Sequence, residues 1–385
     1  MHSTQVHKVI NQIISFCRRI GLWHGEDIPT STQLGLKSLC CIYICLFPIS
    51  FGFGAITSET IDDSIFLAEL SVITVVLTAK IVMLLWKQKS IMGLLDRICV
   101  FSIRYDDDFA FFNDKVEKFI KFVNVFGCGA IVATLGCSVF TFIGETRTFV
   151  MDFGFPLDWR NSEIGFWVAY IFFTSENVLT FLPLSHSVII WYLLLHCSLR
   201  YKILGMEIKN LGRITGGGKV KMSEKEQQTI FYRDLVASIR AHLHLRESID
   251  ELESFLSTLF LLQLATSGLC ICGSIYCLAF DVSDNIVERI VHVYSLFNSI
   301  AELFMITYLG NEILLSSSHL TYSLFESEWI GQPHSTIKCI IIFGEYLKRS
   351  HEMLIGKLYP LTLETFTRIL KSSYSLFNIL KNTKQ

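Results

Sequence analysis

Apolar residues in this chain fall in long runs rather than in the alternation of a half-buried strand. Clear runs cover residues 38–57 (with Pro48 inside), 64–86, 122–143, 164–197, 254–280 and 287–315. Each is close to or above the roughly 20 residues that a helix needs to cross a hydrocarbon core about 30 Å thick. The 34 positions of 164–197 would reach about 50 Å at a rise of about 1.5 Å per residue, so that helix should tilt or project beyond the bilayer. Two shorter pieces follow. One is 335–348, around Ile340-Ile341-Ile342-Phe343; the other is 360–381, which carries Arg368, Lys371 and several Ser and Thr. A helix as polar as the last one is tolerated in a membrane only where one face meets protein or water. With it, the pattern predicts an all-α integral membrane protein of seven transmembrane helices. Its last helix is split into a part outside the membrane and a part within it. Gly356 and Pro360 bracket the break, and proline suits a first helical turn. At the other end, Val9-Ile10, Ile13-Ile14 and Ile20 have the spacing of a short amphipathic helix that lies on a surface.

Composition agrees with this reading: 51% of residues are hydrophobic and only 18% charged, against about 25% charged in soluble domains. A net charge of −2 gives no basic signature for nucleic acid. The distribution of charge is more telling. Segments 1–37, 87–121, 198–253 and 316–359 carry 25 Lys and Arg, whereas 58–63, 144–163, 281–286 and 382–385 carry 3. The positive-inside rule then puts the N-terminus in the cytoplasm and the C-terminus outside. This is inverted relative to G-protein-coupled receptors, whose Asp-Arg-Tyr and Asn-Pro-x-x-Tyr motifs are also absent. Residues 1–35 include Lys8, Arg18, Arg19, Glu26 and Asp27 without a long apolar stretch, so no cleavable signal peptide is expected.

Little in the sequence points to catalysis. The twelve cysteines sit mostly within or beside apolar runs, where a thiol behaves as a small hydrophobe. No paired C-x-x-C motif marks a zinc site, and no metal or cofactor is expected. Gly216-Gly217-Gly218-Lys219 lacks the Ser/Thr and the first glycine of a phosphate loop and reads as a linker. His242 and His244 face different sides of a helix expected over 224–252. No internal repeat points to a secondary transporter. Glu69, Glu176 and Glu302 are carboxylates inside apolar runs, costly there and expected to face a cavity or a partner. Lys80 or Arg289 is available to pair with one of them. On the last helix, Thr365, Arg368, Ser372, Ser375 and Ile379 are spaced 3, 4, 3 and 4 and share one face. A polar stripe ending in an apolar residue fits a wet pathway with a dry constriction; an amphipathic helix lying on a surface would show the same stripe.

The C-terminal third carries a resemblance. The stretch Tyr322-Ser323-Leu324-Phe325-Glu326-Ser327-Glu328-Trp329 resembles the segment that closes the sixth helix of insect odorant receptors. Lys357-Leu358-Tyr359-Pro360-Leu361-Thr362-Leu363-Glu364-Thr365-Phe366, followed by Ile369-Leu370-Lys371-Ser372-Ser373-Tyr374-Ser375-Leu376-Phe377, resembles their C-terminal signature. The rest of the chain is similar in architecture only. The ending lacks the Gln-Phe of the related gustatory receptors, which, with a tastant as ligand, are the alternative. The loop over 198–253 is shorter than in the family's shared co-receptor and favours a ligand-tuning subunit.

The resemblance implies an odorant-gated, non-selective cation channel in the plasma membrane of sensory neurons. It implies a heterotetramer with the co-receptor, or a homotetramer, bound to membrane lipids and to a small volatile odorant. It also assigns parts of the chain: a cytoplasmic N-terminus over 1–37, helices one to six with the ligand pocket over 38–315, an anchor region over 316–359 and a pore helix over 360–381. In the pore helix, Ser372 and Ser375 would line the pathway. Ile379 would be the gate, with Leu376 beside it. Tyr322, Trp329 and Phe343 would brace the anchor between subunits. A pocket among the outer halves of the second, third, fourth and sixth helices would draw on Phe66, Glu69, Phe140, Tyr170, Phe173, Glu176, Tyr294, Phe297 and Asn298. Aromatic rings with a few polar groups suit a volatile apolar ligand.

Overall fold

A computed structural model describes residues 2–24, 30–58, 60–142, 162–213, 223–280 and 286–384. In chain order the elements are β1 (His2–Ser3), α1 (Lys8–Arg19), α2 (Ser31–Thr57), α3 (Ile61–Trp86), α4 (Gln88–Cys99), β2 (Ser102–Ile103), α5 (Asp106–Phe140) and α6 (Glu163–Leu179). Then follow α7 (Phe181–Lys209), α8 (Glu224–Ala279), α9 (Ile286–Ser318), α10 (Leu320–Phe325), α11 (His334–Leu347), β3 (Leu354–Ile355), β4 (Tyr359–Pro360) and α12 (Leu363–Lys384). Among the described residues, six stretches are long and apolar enough to cross a membrane: α2, α3, α5, α6 with α7, α8, and α9 with α10. The seventh helix, α12, is the more polar one and packs against α8 and α9.

The apolar runs translate into helices with informative differences. The run 164–197 is two helices, because α6 ends at Leu179 and α7 begins at Phe181. Pro183 lies in the first turn of α7, the position where a missing N–H costs least. The run 254–280 is the C-terminal part of α8, whose 56 residues extend to about 84 Å at about 1.5 Å per residue. His242 is buried on that helix and His244 exposed, as their spacing requires. None of the eleven cysteines described is in a disulfide, and six are buried; Cys45 and Cys128 face outward instead. The glycine-rich stretch 216–219 lies outside the described residues.

One end of the bundle gathers α1, α4, α10, α11 and the N-terminal part of α8; we call it the anchor pole. α1 buries Ile10, Ile14 and Cys17 there. Thr4 ties the N-terminus down by donating to the Cys99 and Phe101 carbonyls at 2.8 and 2.9 Å. Trp23 is fully buried with its indole N–H on the Leu84 carbonyl at 2.9 Å, which satisfies the one polar atom of a large apolar side chain. His351 is wedged between α7, α8 and α9. Its Nδ1 meets the Tyr201 hydroxyl at 2.8 Å, its Nε2 meets Asp250 at 3.1 Å, and its backbone N–H donates to Ser317 at 2.8 Å. Burial holds the His351 pKa below its usual value. Asp250 offers an acceptor to one ring nitrogen and the Tyr201 hydroxyl can donate to the other, which suits a neutral ring with one role for each nitrogen.

Between α11 and α12 the chain reverses through a two-residue ladder pairing β3 with β4. Gly356 and Lys357 both take positive φ at the turn, 58° each. The turn returns Leu361 against Gly310 of α9, where an added Cβ would stand 2.5 Å from the Leu361 carbonyl oxygen. Nothing larger than glycine lets α9 and the base of α12 approach this closely.

Four helices are tied together by one buried ion pair. Lys80 of α3 donates to Glu302 of α9 at 2.5 Å and to Ser187 of α7 at 3.1 Å. Ser187 donates to Glu302 at 3.0 Å, and Gln263 of α8 donates to it at 2.8 Å. Of the pairings open to Lys80, it takes Glu302.

Two predictions follow from these contacts. Gly310→Ala should destabilise the chain by about 1–3 kcal/mol, the usual cost of overpacking. Gly268→Ala should be tolerated, since its Cβ would meet only Ser373 at 3.5 Å and Ile369 at 3.7 Å. Glu302→Ala strands Lys80 in the interior and should cost about 3–5 kcal/mol, whereas the double change Lys80→Met with Glu302→Leu should recover most of it. Thermal unfolding of the detergent-solubilised chain checks both.

Candidate ligand site

A cavity of about 410 Å³ opens between α3, α5, α7 and α9, within the usual range for small-molecule sites. Most of its wall is apolar: Leu70, Ile73 and Leu77 from α3, Ala130, Val132 and Ala133 from α5, and Pro183 and Leu184 from α7. The small residues of α5 make the space, because alanine and Gly136 leave the backbone near the cavity surface. α9 supplies the polar groups. Tyr294, Asn298 and Glu302 are spaced four apart and lie one above the other, flanked by Ser295 and Ser299. Thr134 and Thr180 add hydroxyls from the facing wall. Glu302 therefore forms a polar floor of the cavity while its carboxylate holds Lys80 behind it.

A pocket of about 40 Å³ behind α9 is lined by Gln263, Ser267, Asn298 and Glu302. Asn298 and Glu302 thus sit between the cavity and a polar space against α8. A cleft of about 20 Å³ shares Leu77, Thr180 and Pro183 with the cavity and holds Glu176.

Of the residues expected to bind ligand, Tyr294 and Asn298 line the cavity. Glu176 occupies the side cleft. Glu69 is buried behind α9, where Ser274 donates to it and Ser295 donates at 3.2 Å. Phe66 packs edge-on against His292, with ring centroids 4.5 Å apart. Phe173 is buried in the core. Tyr170 belongs to an aromatic group with Phe142, Phe166 and Trp167 and borders an outward-facing groove with Tyr43. Phe297 is 62% exposed and faces away from the cavity. The side chain of Phe140 lies outside the described residues. Sequence reasoning placed the third helix at the pocket through Phe140 but missed the small residues of α5 that line it, and Ser295 and Ser299. It flagged Glu302 only as a buried charge. The signal for Glu302 was present in the 294/298/302 spacing.

α12 exposes one polar face. Glu364, Arg368, Lys371, Ser372 and Ser375 are exposed along it, Ile379 is 60% exposed, and Leu376 is half-buried. Thr365 departs from the expected stripe: it turns inward, is buried, and donates to the Pro360 carbonyl at 2.6 Å. That bond ties the first turn of α12 to β4, and the exposed face begins one residue earlier, at Glu364. At the anchor pole Phe343 is buried beside His242, Trp329 is half-buried, and Tyr322 is 70% exposed.

A family model described as 7tm Odorant receptor matches residues 64–374. Odorant receptor 23a of Drosophila melanogaster is 27% identical over 244 residues, which cover 62% of this chain and 61% of the relative. Odorant receptor 94a of the same organism is 25% identical over 229 residues, covering 59% and 56%. The chain thus spans about three-fifths of the length of these curated relatives. The insect olfactory receptor OR5 from Machilis hrabei, solved in complex with eugenol, superposes with a TM-score of 0.82 over 98% of both chains at 14% identity. A second structure of that receptor gives 0.78, covering 96% of this chain and 98% of the other. At that identity the likeness is one of fold, a seven-helix membrane fold. This is a multi-pass membrane protein, and the chain belongs to the odorant receptor family.

Proposed function

We propose that the chain is the ligand-tuning subunit of an odorant-gated, non-selective cation channel. The observation that carries this reading is the cavity of about 410 Å³, apolar on three walls with a polar strip on the fourth. A small volatile molecule would bury its carbon skeleton against α3, α5 and α7 and direct a hydroxyl or carbonyl to Tyr294 or Asn298. The eugenol-bound insect receptor of the same fold supports a ligand of this class. The lysine and arginine distribution supports a cytoplasmic N-terminus and an extracellular C-terminus.

The exposed polar face of α12 supports a pore at the axis of a tetramer, formed with the family's co-receptor or with further copies of this chain. In that assembly Ser372 and Ser375 line the water-filled path. Ile379, with Leu376 turned in by a small rotation, closes it by dewetting. Exposed apolar side chains at the anchor pole, among them Ile330, Ile341 and Ile342, support packing between subunits there together with Tyr322, Trp329 and Phe343. The setting is the plasma membrane of sensory neurons.

Gating follows as a population shift: the odorant opens the channel only by binding the open state more tightly than the closed one. α9 is the element both sites share. It forms the polar wall of the cavity, meets Leu361 at Gly310, and packs Phe304 edge-on against Phe366 of α12 at 5.6 Å.

Two measurements test this reading. Tyr294→Ala and Asn298→Ala should shift odorant sensitivity by about 5–30-fold, the equivalent of about 1–2 kcal/mol, at unchanged surface expression. An unaltered dose–response across a chemically diverse panel would remove both from the pocket. Ile379→Ser should raise the basal current of channels recorded with the co-receptor, because a hydroxyl keeps the constriction wet. Unchanged leak at normal expression would exclude Ile379 as the gate.

A further inference from the structure

Beside the cavity, on a neighbouring side of α9, three side chains from three helices converge. Glu69 of α3, Cys277 of α8 and His292 of α9 place a carboxylate oxygen, a thiol sulfur and a ring nitrogen all within 4.8 Å of one another. All three are more than nine-tenths buried. Cys277 is not in a disulfide.

Two further features set this cluster apart from an ordinary polar contact in the core. Glu69 Oε2 and His292 Nδ1 have no hydrogen-bond partner although both are buried, and an unmet buried polar atom ordinarily costs about 1–3 kcal/mol. The surroundings also hold the carboxylate in place. Glu69 Oε1 accepts from Ser274 and Ser295, leaving Oε2 unpaired. A Cβ on Gly273 would stand 3.0 Å from Oε2, so the glycine makes room for it. Phe66 braces the His292 ring edge-on.

We propose that Glu69, Cys277 and His292 bind a divalent transition metal of the Zn²⁺ class. The donor set is one oxygen, one sulfur and one nitrogen, which suits a borderline-soft ion and not the all-oxygen preference of Mg²⁺ or Ca²⁺. Bonds of about 2.0–2.3 Å place ligands on a tetrahedral ion about 3.5 Å apart, so small side-chain rotations close the set. Three protein ligands leave a fourth position for water. The charges match the setting: a thiolate and a carboxylate neutralise a divalent ion, and no net charge is left in the membrane interior. The serines bonded to Glu69 are the outer support that metal-binding carboxylates ordinarily have. Ser295 also lines the ligand cavity, so the metal would stand one residue behind its polar wall. Because the thiol must lose its proton to bind, affinity should fall as pH is lowered. Ligands at positions 69, 277 and 292 leave no short-range motif, which is why spacing rules pass over them.

The test uses the full chain purified in detergent and titrated with Co²⁺ as a spectroscopic probe. The expected result is one saturable Co²⁺ per chain with a thiolate-to-cobalt charge-transfer band, displaced by Zn²⁺. Cys277→Ser should abolish that band and weaken binding by about tenfold or more, while Cys270→Ser on the same helix leaves both unchanged. His292→Gln keeps the thiol and should weaken binding to a similar extent, which preserves the test if Cys277→Ser does not fold. No saturable Co²⁺ spectrum in the unaltered chain, or a charge-transfer band that survives Cys277→Ser, would overturn the proposal. Neither readout involves odorant, so the result is independent of the channel reading.

Discussion

The buried pair of Lys80 and Glu302 constrains everything around it. A charge inside a membrane protein is tolerable only when it is paired and its remaining hydrogen-bonding capacity is met. Here both conditions hold, because Glu302 accepts from Lys80, Ser187 and Gln263 together. The donors belong to α3, α7 and α8, so satisfying one carboxylate fixes the relative positions of those helices and α9. An apolar core would allow these helices to slide by a turn at modest cost; the pair does not. It also sets the rotation of α9, and with that the identity of the residues that reach the cavity.

That rotation divides α9 into faces with different tasks. Tyr294, Asn298 and Glu302 line the cavity. Val293, Phe297, Phe304 and Tyr308 lie on an exposed face, and Phe304 and Tyr308 stack at 5.6 Å. Glu69 and His292 meet on a third side. Further along, Gly310 brings the same helix against the turn that begins α12. In the proposed channel, a rigid rod with the cavity near one end and α12 near the other is a physical means of coupling. It works if ligand binding favours one of two positions of that rod.

How much of this was legible in the sequence depends on the range of the signal. The membrane spans were legible, since each rests on its own apolar run, and so was the split before the last helix, which Gly356 and Pro360 mark. The break at Thr180 was not, because an apolar run reads the same whether it is one helix or two. The site was legible only in part, for the same reason. Tyr294 and Asn298 follow from their depth and type, but Phe297, three residues from Tyr294, points the other way. Depth along a helix comes from counting residues; rotation about its axis is set by Lys80, Ser187 and Gln263, remote in sequence. The third helix was placed at the pocket through Phe140, but the residues of α5 that line it escaped notice because small residues contribute by leaving space. Thr365 was assigned to the exposed stripe by spacing, yet its hydroxyl turns inward to the Pro360 carbonyl of β4, just before the helix.

The central claim is that a small molecule in the cavity opens a pore in an assembly of this chain. It is tested most directly by recording single channels from the purified protein, with and without the co-receptor, in a planar bilayer. In the proposed account odorant raises the open probability saturably, and Ala133→Trp, which fills the cavity from the α5 wall, removes that response while rare spontaneous openings persist. Absence of odorant-evoked openings in both preparations, or an odorant response that survives filling of the cavity, would contradict it.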